Sequence, residues 1–429
     1  MKKINIITLG CSKNTVDSEK LAYQLKLSGY KVYHNSGDLN FDIAIVNTCG
    51  FINDAKEESI NTILQLINAK NLGKIRKIIV FGCLAERYMS DLKEELPEVD
   101  VFLGNYDQEK ILNILELASN SDKQYSRILD SPGHYAYVKI AEGCNRKCSF
   151  CAIPLFKGKY VSREISDIVK EVSFLASKGV KEIMLIAQDL SFYGYDKNKK
   201  FLLPQLVEEL SKINNIEWIR LHYLYPFLFP DELIDIIATN PKVCKYIDIP
   251  LQHISDKVLT AMNRGGTKEQ VKDLLEKFRN RIPDVVIRTT MLVGHPTESE
   301  KEFEELIEFV KEQKFDRLGV FTYSEEEGTL SAKTYPDDID LSVKEERANI
   351  LMDIQRGISH DLNSKKTGKV YKVIVDRVEG DYFIGRTEYD SVEVDNEILI
   401  SSDKELSIGN FYFVEITSFD DYELYATPL

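Results

Sequence analysis

The sequence predicts an α/β chain in three parts: an N-terminal parallel-sheet domain over residues 1–120, a central partial (β/α)6 barrel over 134–362 and a small antiparallel β-barrel over 365–429. Three observations lead there. Short apolar runs alternate with helical patterns up to about Asn120, six further strand-and-helix units follow a polar break, and the last stretch switches to short alternating strands.

In the first part the runs INIITLG, DIAIVNTCG and KIIVFGC alternate with DSEKLAYQLKLSGY and DAKEESINTILQLINAK, whose apolar residues recur at helical spacing. Strands separated by helices of this length pair in parallel, because parallel neighbours need a long crossover. Met1 to Asn14 has three lysines and only a short apolar run with no cleavage site behind it, so it reads as a buried first strand. The polar, turn-rich SNSDKQYSRILDSPGHY places a linker between Ser119 and His134.

The central part offers YVKIAEG, EIMLIAQDL, WIRLHYL, YIDIPLQH, VIRTTMLVG and RLGVFTYS as strands. In barrels of this kind chemistry sits at the C-terminal ends of the strands, so residues ending these runs are the candidates. After the long helical LSVKEERANILMDIQRGISHDLNSKKTG come KVYKVIVDRVEG, YFIGRTEY, EILI and NFYFVEITSF, short strands suited to a small barrel.

With 43% apolar and 29% charged residues, the 429-residue chain has ample material for several cores and is not disordered. No stretch reaches the roughly 20 apolar residues of a membrane helix, which predicts a cytoplasmic protein without a membrane partner. The net charge of −14 argues against a general grip on nucleic acid phosphates and favours a basic partner. Residues 365–429 hold 7 Lys and Arg against 14 Asp and Glu, so half of that net charge lies in the last domain.

Seven cysteines in a reducing compartment are ligands, reactive thiols or core residues rather than disulfides. Cys144, Cys148 and Cys151 form a Cys-x3-Cys-x2-Cys run directly after the first barrel strand. Three thiolates on one loop can hold three irons of a 4Fe-4S cluster and leave the fourth open, whereas structural zinc wants four closed ligands. Cys11, Cys49 and Cys83 each follow one apolar run of the first part. If those runs are adjacent parallel strands, the three thiols share the crevice at their carboxyl ends and could hold a second open cluster. The alternative is three small hydrophobes at strand ends. Cys244 has no companions and reads as structural.

The run AEGCNRKCSFCAIP resembles the signature of the radical S-adenosylmethionine superfamily. Essentially the whole chain is similar to the methylthiotransferase family, whose members join an N-terminal cluster domain, a radical SAM barrel and a C-terminal TRAM domain. Within it, LGCSKNTVDSE, AQDLSFYGYD, PLQH and GRTEYDSVEVDNE resemble the RimO branch, and Ser12, Lys13 and Asn14 stand where the tRNA-modifying branch generally has Gln-Met-Asn. The resemblance implies methylthiolation of an aspartate β-carbon in small-subunit ribosomal protein twelve, with two 4Fe-4S clusters, S-adenosyl-L-methionine as methyl donor and radical source, and an external electron donor. The alternative, tRNA adenosine methylthiolation, needs a basic face that the acidic last domain does not supply, so tRNA is not the expected partner. Gln188, Asp189, Gln252 and Arg288, in or after barrel strands, suit contacts to S-adenosylmethionine, or else strand-end hydrogen bonding and packing. His253 receives no catalytic role. Arg163 either faces an anion at a helix start or is an ordinary surface residue. Thr297, in LVGHPTESE, replaces a residue of the family that is free to take positive φ.

Overall fold

β1 (Lys3–Thr8), β2 (Lys31–His34), β3 (Phe41–Thr48), β4 (Ile75–Gly82) and β5 (Val101–Phe102) form one parallel sheet in the order β2-β1-β3-β4-β5. They belong to a computed structural model that describes residues 2–118, 125–130, 132–401, 403 and 405–429. Of the predicted linker, residues 119–124 and 131 lie outside the described residues. Successive strand side chains point to opposite faces, and here both faces are covered, which explains the unbroken apolar runs. Ala44, Val46, Ile78 and Val80 face the helix Asn53–Asn71 through Ile63 and Leu66. Ile43, Ile45, Ile79 and Phe81 face the helix Ser12–Leu27 through Leu21 and Leu25.

The chain divides into two compact units, the first comprising Met1–Ser131, Tyr137–Arg146 and Ala152–Leu175. Charge explains why this unit runs past the linker. Glu171, on the helix Ile165–Ser177, is fully buried and meets Lys20 at 3.1 Å, Arg127 at 3.5 Å and Arg163 at 2.6 Å. Burial alone would raise its pKa, but the three cations hold it well below the usual carboxylate range. Lys139, near the end of β6 (Tyr135–Lys139), reaches Asp17 at 2.5 Å and Glu142 at 2.7 Å. Beyond it β7 (Ala141–Glu142) pairs antiparallel with β8 (Val161–Ser162). Arg163 is thus neither an anion site at a helix start nor a free surface residue: it closes the cage around Glu171.

The second unit comprises Pro132–Ala136, Lys147–Cys151 and Ala176–Leu429. Its parallel strands are β9 (Glu182–Ile186) with β10 (Trp218–Leu221), and β11 (Tyr246–Asp248) with β12 (Val286–Val293) and β13 (Arg317–Thr322). An isolated parallel bridge from Ile219 to Val243 links the two groups. Helices follow the strands, and Lys268–Arg281 and Glu300–Gln313 each start on a capping box, Thr267 with Gln270 and Ser299 with Glu302. β14 (Val370–Glu379), β15 (Tyr382–Thr387), β16 (Glu397–Ile400), β17 (Phe411–Phe419) and β18 (Glu423–Pro428) close a barrel in the order β14-β15-β16-β18-β17. β18 is the strand the pattern did not reveal, and its parallel pairing with β16 departs from the otherwise antiparallel barrel.

The small barrel meets the barrel strands through ions. Glu182 binds Arg220 at 2.9 Å and Arg386 at 2.8 Å. Arg386 continues to Asp376 at 2.6 Å, Arg317 binds Asp390 at 2.5 Å and Arg288 binds Asp395 at 3.3 Å. Three of the acidic domain's carboxylates are therefore buried and neutralised, so its outer charge is less than the composition suggests. Among the described residues no helix is long and apolar enough to cross a membrane.

Candidate functional site

In the first unit the chain leaves β3 and β4 directly into Cys49 and Cys83, and leaves β1 for Cys11 three residues on. The three strands are adjacent, so the three cysteines gather at one sheet edge, at the carboxyl ends where such sheets place ligands. Cys11 is exposed, while Cys49 and Cys83 are buried. Burial pushes the Cys49 thiol up and the Cys83 thiol up to about 11, and in each the neighbouring cysteines push the same way. Lys157 works against that rise at Cys83 and is itself held 3.4 Å from Glu142. Ala152, Ile153 and Phe156 pack around Cys83. Space is tight at the edge. Gly10, at φ +85°, lies so close that a Cβ there would stand 2.7 Å from the Cys49 sulfur.

Buried amides and hydroxyls set the cysteine loops. Asn14 donates to the carbonyls of Leu9 at 2.8 Å and Thr48 at 3.2 Å, tying the Cys11 loop to the Cys49 loop. Ser59 accepts from the Cys49 amide at 3.1 Å and donates to its carbonyl at 2.9 Å. Thr48 donates to the Phe81 carbonyl at 2.8 Å, next to the turn into Cys83. Replacing Asn14 with alanine leaves two buried carbonyls without these donors. The expected cost is about 1 to 3 kcal/mol in urea unfolding, with a matching fall in iron bound after reconstitution.

The second cysteine run crosses between the units. In the first, Gly143 at φ +75° passes so close to Lys159 that a Cβ would stand 2.1 Å from its carbonyl oxygen, and the Cys144 amide donates to the Gly158 carbonyl at 3.1 Å. In the second, the end of the helix Asp256–Ala261 holds the segment around Cys148. Asn263 takes the left-handed conformation at φ 53°, and the amides of Asn263 and Arg264 return to the carbonyls of Thr260 and Leu259, a Schellman ending. That ending aims four groups at the loop. The carbonyls of Ala261 and Met262 accept from Ser149 Oγ at 2.7 Å and from its amide at 2.9 Å, Asn263 donates to the Lys147 carbonyl at 2.7 Å, and Arg264 donates to Cys148 Sγ at 3.2 Å. Among the described residues no three His, Cys, Asp or Glu converge as ligands of a single metal ion. Cubane ligands each bind a different iron and need not converge.

Gln188 and Asp189 follow β9, with Asp189 buried, and Gln252 follows β11. Gln252 holds φ 75°, a strained value for a side-chain-bearing residue, while its backbone bonds Thr290 and Leu292. Arg288 is not gathered with them. It lies in the first half of β12, paired with Asp248 at 3.1 Å and Asp395 at 3.3 Å. His253 is buried and bonded to Glu298 at 3.1 Å and to the Ser255 amide at 3.0 Å. Cys244 lies in the core with Trp218 and Tyr246, and burial pushes its thiol up to about 12. Thr297 avoids positive φ; its hydroxyl meets His295 Nδ1 at 2.9 Å instead.

That histidine gives a pH prediction. Burial pushes His295 down to about 4 despite the attraction of Glu298. Below pH 6.5 the unfolded chain binds a proton that the folded one refuses, so stability falls as pH drops from 6.5 to 4. The expected excess loss over a His295→Phe variant is about 1 kcal/mol per pH unit, read from urea midpoints.

Comparison with known families matches residues 3–104 to the uncharacterized protein family UPF0004, 138–310 to the radical SAM superfamily and 367–429 to the TRAM domain. Among curated proteins, the ribosomal protein uS12 methylthiotransferase RimO of Phocaeicola vulgatus is 53% identical over 427 residues, 99% of either chain. Its namesake from Bacteroides thetaiotaomicron is 52% identical over all of this chain and 98% of its own. The chain belongs to the RimO methylthiotransferase family. Among solved structures, the radical S-adenosylmethionine methyltransferase TsrM from Kitasatospora setae shares the fold with a TM-score of 0.58 at 15% identity, over 77% of each chain.

For this RimO-family chain, motif reading singled out the six cysteines of the two triads but not the residues bonded around them. Asn14, Asn263 and Arg264 reach across long sequence distances, Ser59 reaches back ten positions to Cys49, and only Asn14, beside a cysteine motif, carried any local signal.

Proposed function

We propose that this chain methylthiolates the β-carbon of an aspartate in ribosomal protein uS12, with one 4Fe-4S cluster on Cys11, Cys49 and Cys83 and another on Cys144, Cys148 and Cys151. The observation that carries the reading is the gathering of three cysteines at the carboxyl edge of the first sheet, in a chain about half identical, end to end, to uS12 methylthiotransferases. The donor set fits iron–sulfur chemistry: the six cysteines are free thiols, and each motif supplies three of them. When bound, the clusters and S-adenosyl-L-methionine supply the methyl group, the sulfur and a hydrogen-abstracting radical, with electrons from an external donor.

The chain's own residues position and shield. Asn14, Thr48 and Ser59 fix the first three thiols, Phe156 and Ala152 exclude water beside Cys83, and the helix ending at Ala261 fixes the second loop. Gln188, Asp189 and Gln252, after their strands, are assigned to S-adenosylmethionine; Arg288, held by Asp248 and Asp395, is assigned to packing between the barrel strands and the small barrel instead. A basic ribosomal protein suits a chain of net charge −14, and such a substrate places the enzyme in the cytoplasm.

The test is anaerobic reconstitution with S-adenosylmethionine, sulfide and reductant, offering the ribosomal protein and unmodified tRNA in parallel. Mass spectrometry is expected to find one hydrogen replaced by one methylthio group on a uS12 aspartate. Modification of a tRNA adenosine alone would overturn the reading.

A further inference from the structure

Arg264 is 4% exposed, so its guanidinium has left bulk water and needs an anion and acceptors nearby. Its Nη2 donates to the Pro250 carbonyl at 2.5 Å, and its plane lies over the Tyr225 ring with Cζ 4.5 Å from the centroid. The Tyr225 hydroxyl in turn donates to the Arg264 carbonyl. These contacts and the Schellman ending fix the side chain from both ends. Nη1 is directed at Cys148 Sγ at 3.2 Å, while Nε is buried and makes no hydrogen bond. Asp189 adds negative charge at longer range.

We propose that Arg264 is a positioning residue for the radical-generating cluster, holding a charge-assisted hydrogen bond to the Cys148 thiolate and so raising that cluster's reduction potential. The inference rests on the assignment of Cys148 as a cluster ligand. Reduction adds one negative charge to the cluster. A fixed cation touching a ligand sulfur stabilises the reduced form more than the oxidised one, and hydrogen bonds to sulfur are among the determinants of cluster potential. The helix end that aims Arg264 also grips Ser149, so the donor and the ligand loop share one support and their distance does not depend on a flexible surface arm.

The experiment uses full-length holoenzyme, with iron and sulfide contents measured first, and follows the S-adenosylmethionine-responsive EPR signal through a potentiometric titration. That response separates this cluster from the other. In Arg264→Gln the ratio of reduced to oxidised cluster at a fixed potential is expected to fall about tenfold, about 59 mV for a one-electron couple. Arg264→Lys, which keeps the charge, is expected to recover part of the shift. Wild-type holoenzyme carrying 15N-arginine is expected to show a 15N hyperfine coupling on the reduced cluster, a readout that needs no variant to load. An unchanged potential in both variants overturns the proposal, as does absence of the coupling. Weakened S-adenosylmethionine binding with an unchanged potential also overturns it and moves Arg264 to the cofactor's carboxylate. If no cluster forms on Cys148 in the wild type, the functional reading itself fails.

Discussion

Replacing Glu182 with alanine is expected to destabilise the second unit by about 3 to 5 kcal/mol, among the largest effects of any single substitution in it. Glu182 is fully buried, and its two oxygens are divided between Arg220 and Arg386, both buried themselves. Burial would raise its pKa, but Arg386 and Arg220 lower it overall, so the group is an anion at neutral pH. Removing it leaves two guanidiniums facing each other in a dry interface. Arg220 retains the Glu388 carbonyl at 2.7 Å and Arg386 retains Asp376 at 2.6 Å, which is why partial rather than total collapse is expected. Urea unfolding monitored at Trp218, packed edge-on against Phe411 of the small barrel at 4.8 Å, reads this interface directly. A loss below about 1 kcal/mol would show that the ions contribute no more than a surface pair does.

The second large effect separates the two cysteine triads. Cys83→Ala is expected to lower methylthio transfer by on the order of a thousandfold, about 4 kcal/mol in the barrier, while 5′-deoxyadenosine release continues. Cys148→Ala is expected to abolish both. The contrast follows from a division of labour in which the triad of Cys148, inside the segment matched to the radical SAM superfamily, makes the radical and the triad of Cys83, in the first matched segment, delivers the methylthio group. Equal loss of 5′-deoxyadenosine in both variants, with iron retained on the intact triad, would contradict the division of labour.

Much of this was legible in the sequence, and the reasons for what was not are physical. β1, β3 and β4 announced themselves because a parallel sheet covered on both faces demands unbroken apolar runs, and each run ended on its cysteine. β2 did not: KVYH is short and only half-buried at the sheet's edge. β18 escaped notice because ELYATP alternates weakly and ends on a proline. Charge misled twice. Arg163 looked like a surface residue or an anion site until Glu171 proved to be buried beside it, and the acidic terminal domain spends Asp376, Asp390 and Asp395 on internal arginines. Neither partnership leaves a trace in spacing. Arg264 is the same lesson at the candidate site, since nothing in MNRGG points to a sulfur 116 positions earlier.

The cage around Glu171 also bears on how the chain is made. Synthesis proceeds from the N-terminus, and domains ordinarily fold as they emerge. Here the sheet and its helices are complete once β5 and its neighbours exist, yet Lys20 and Arg127 still lack the carboxylate that joins them. The charge cage of the first unit is therefore completed only by a helix, Ile165–Ser177, that is translated after Cys144, Cys148 and Cys151.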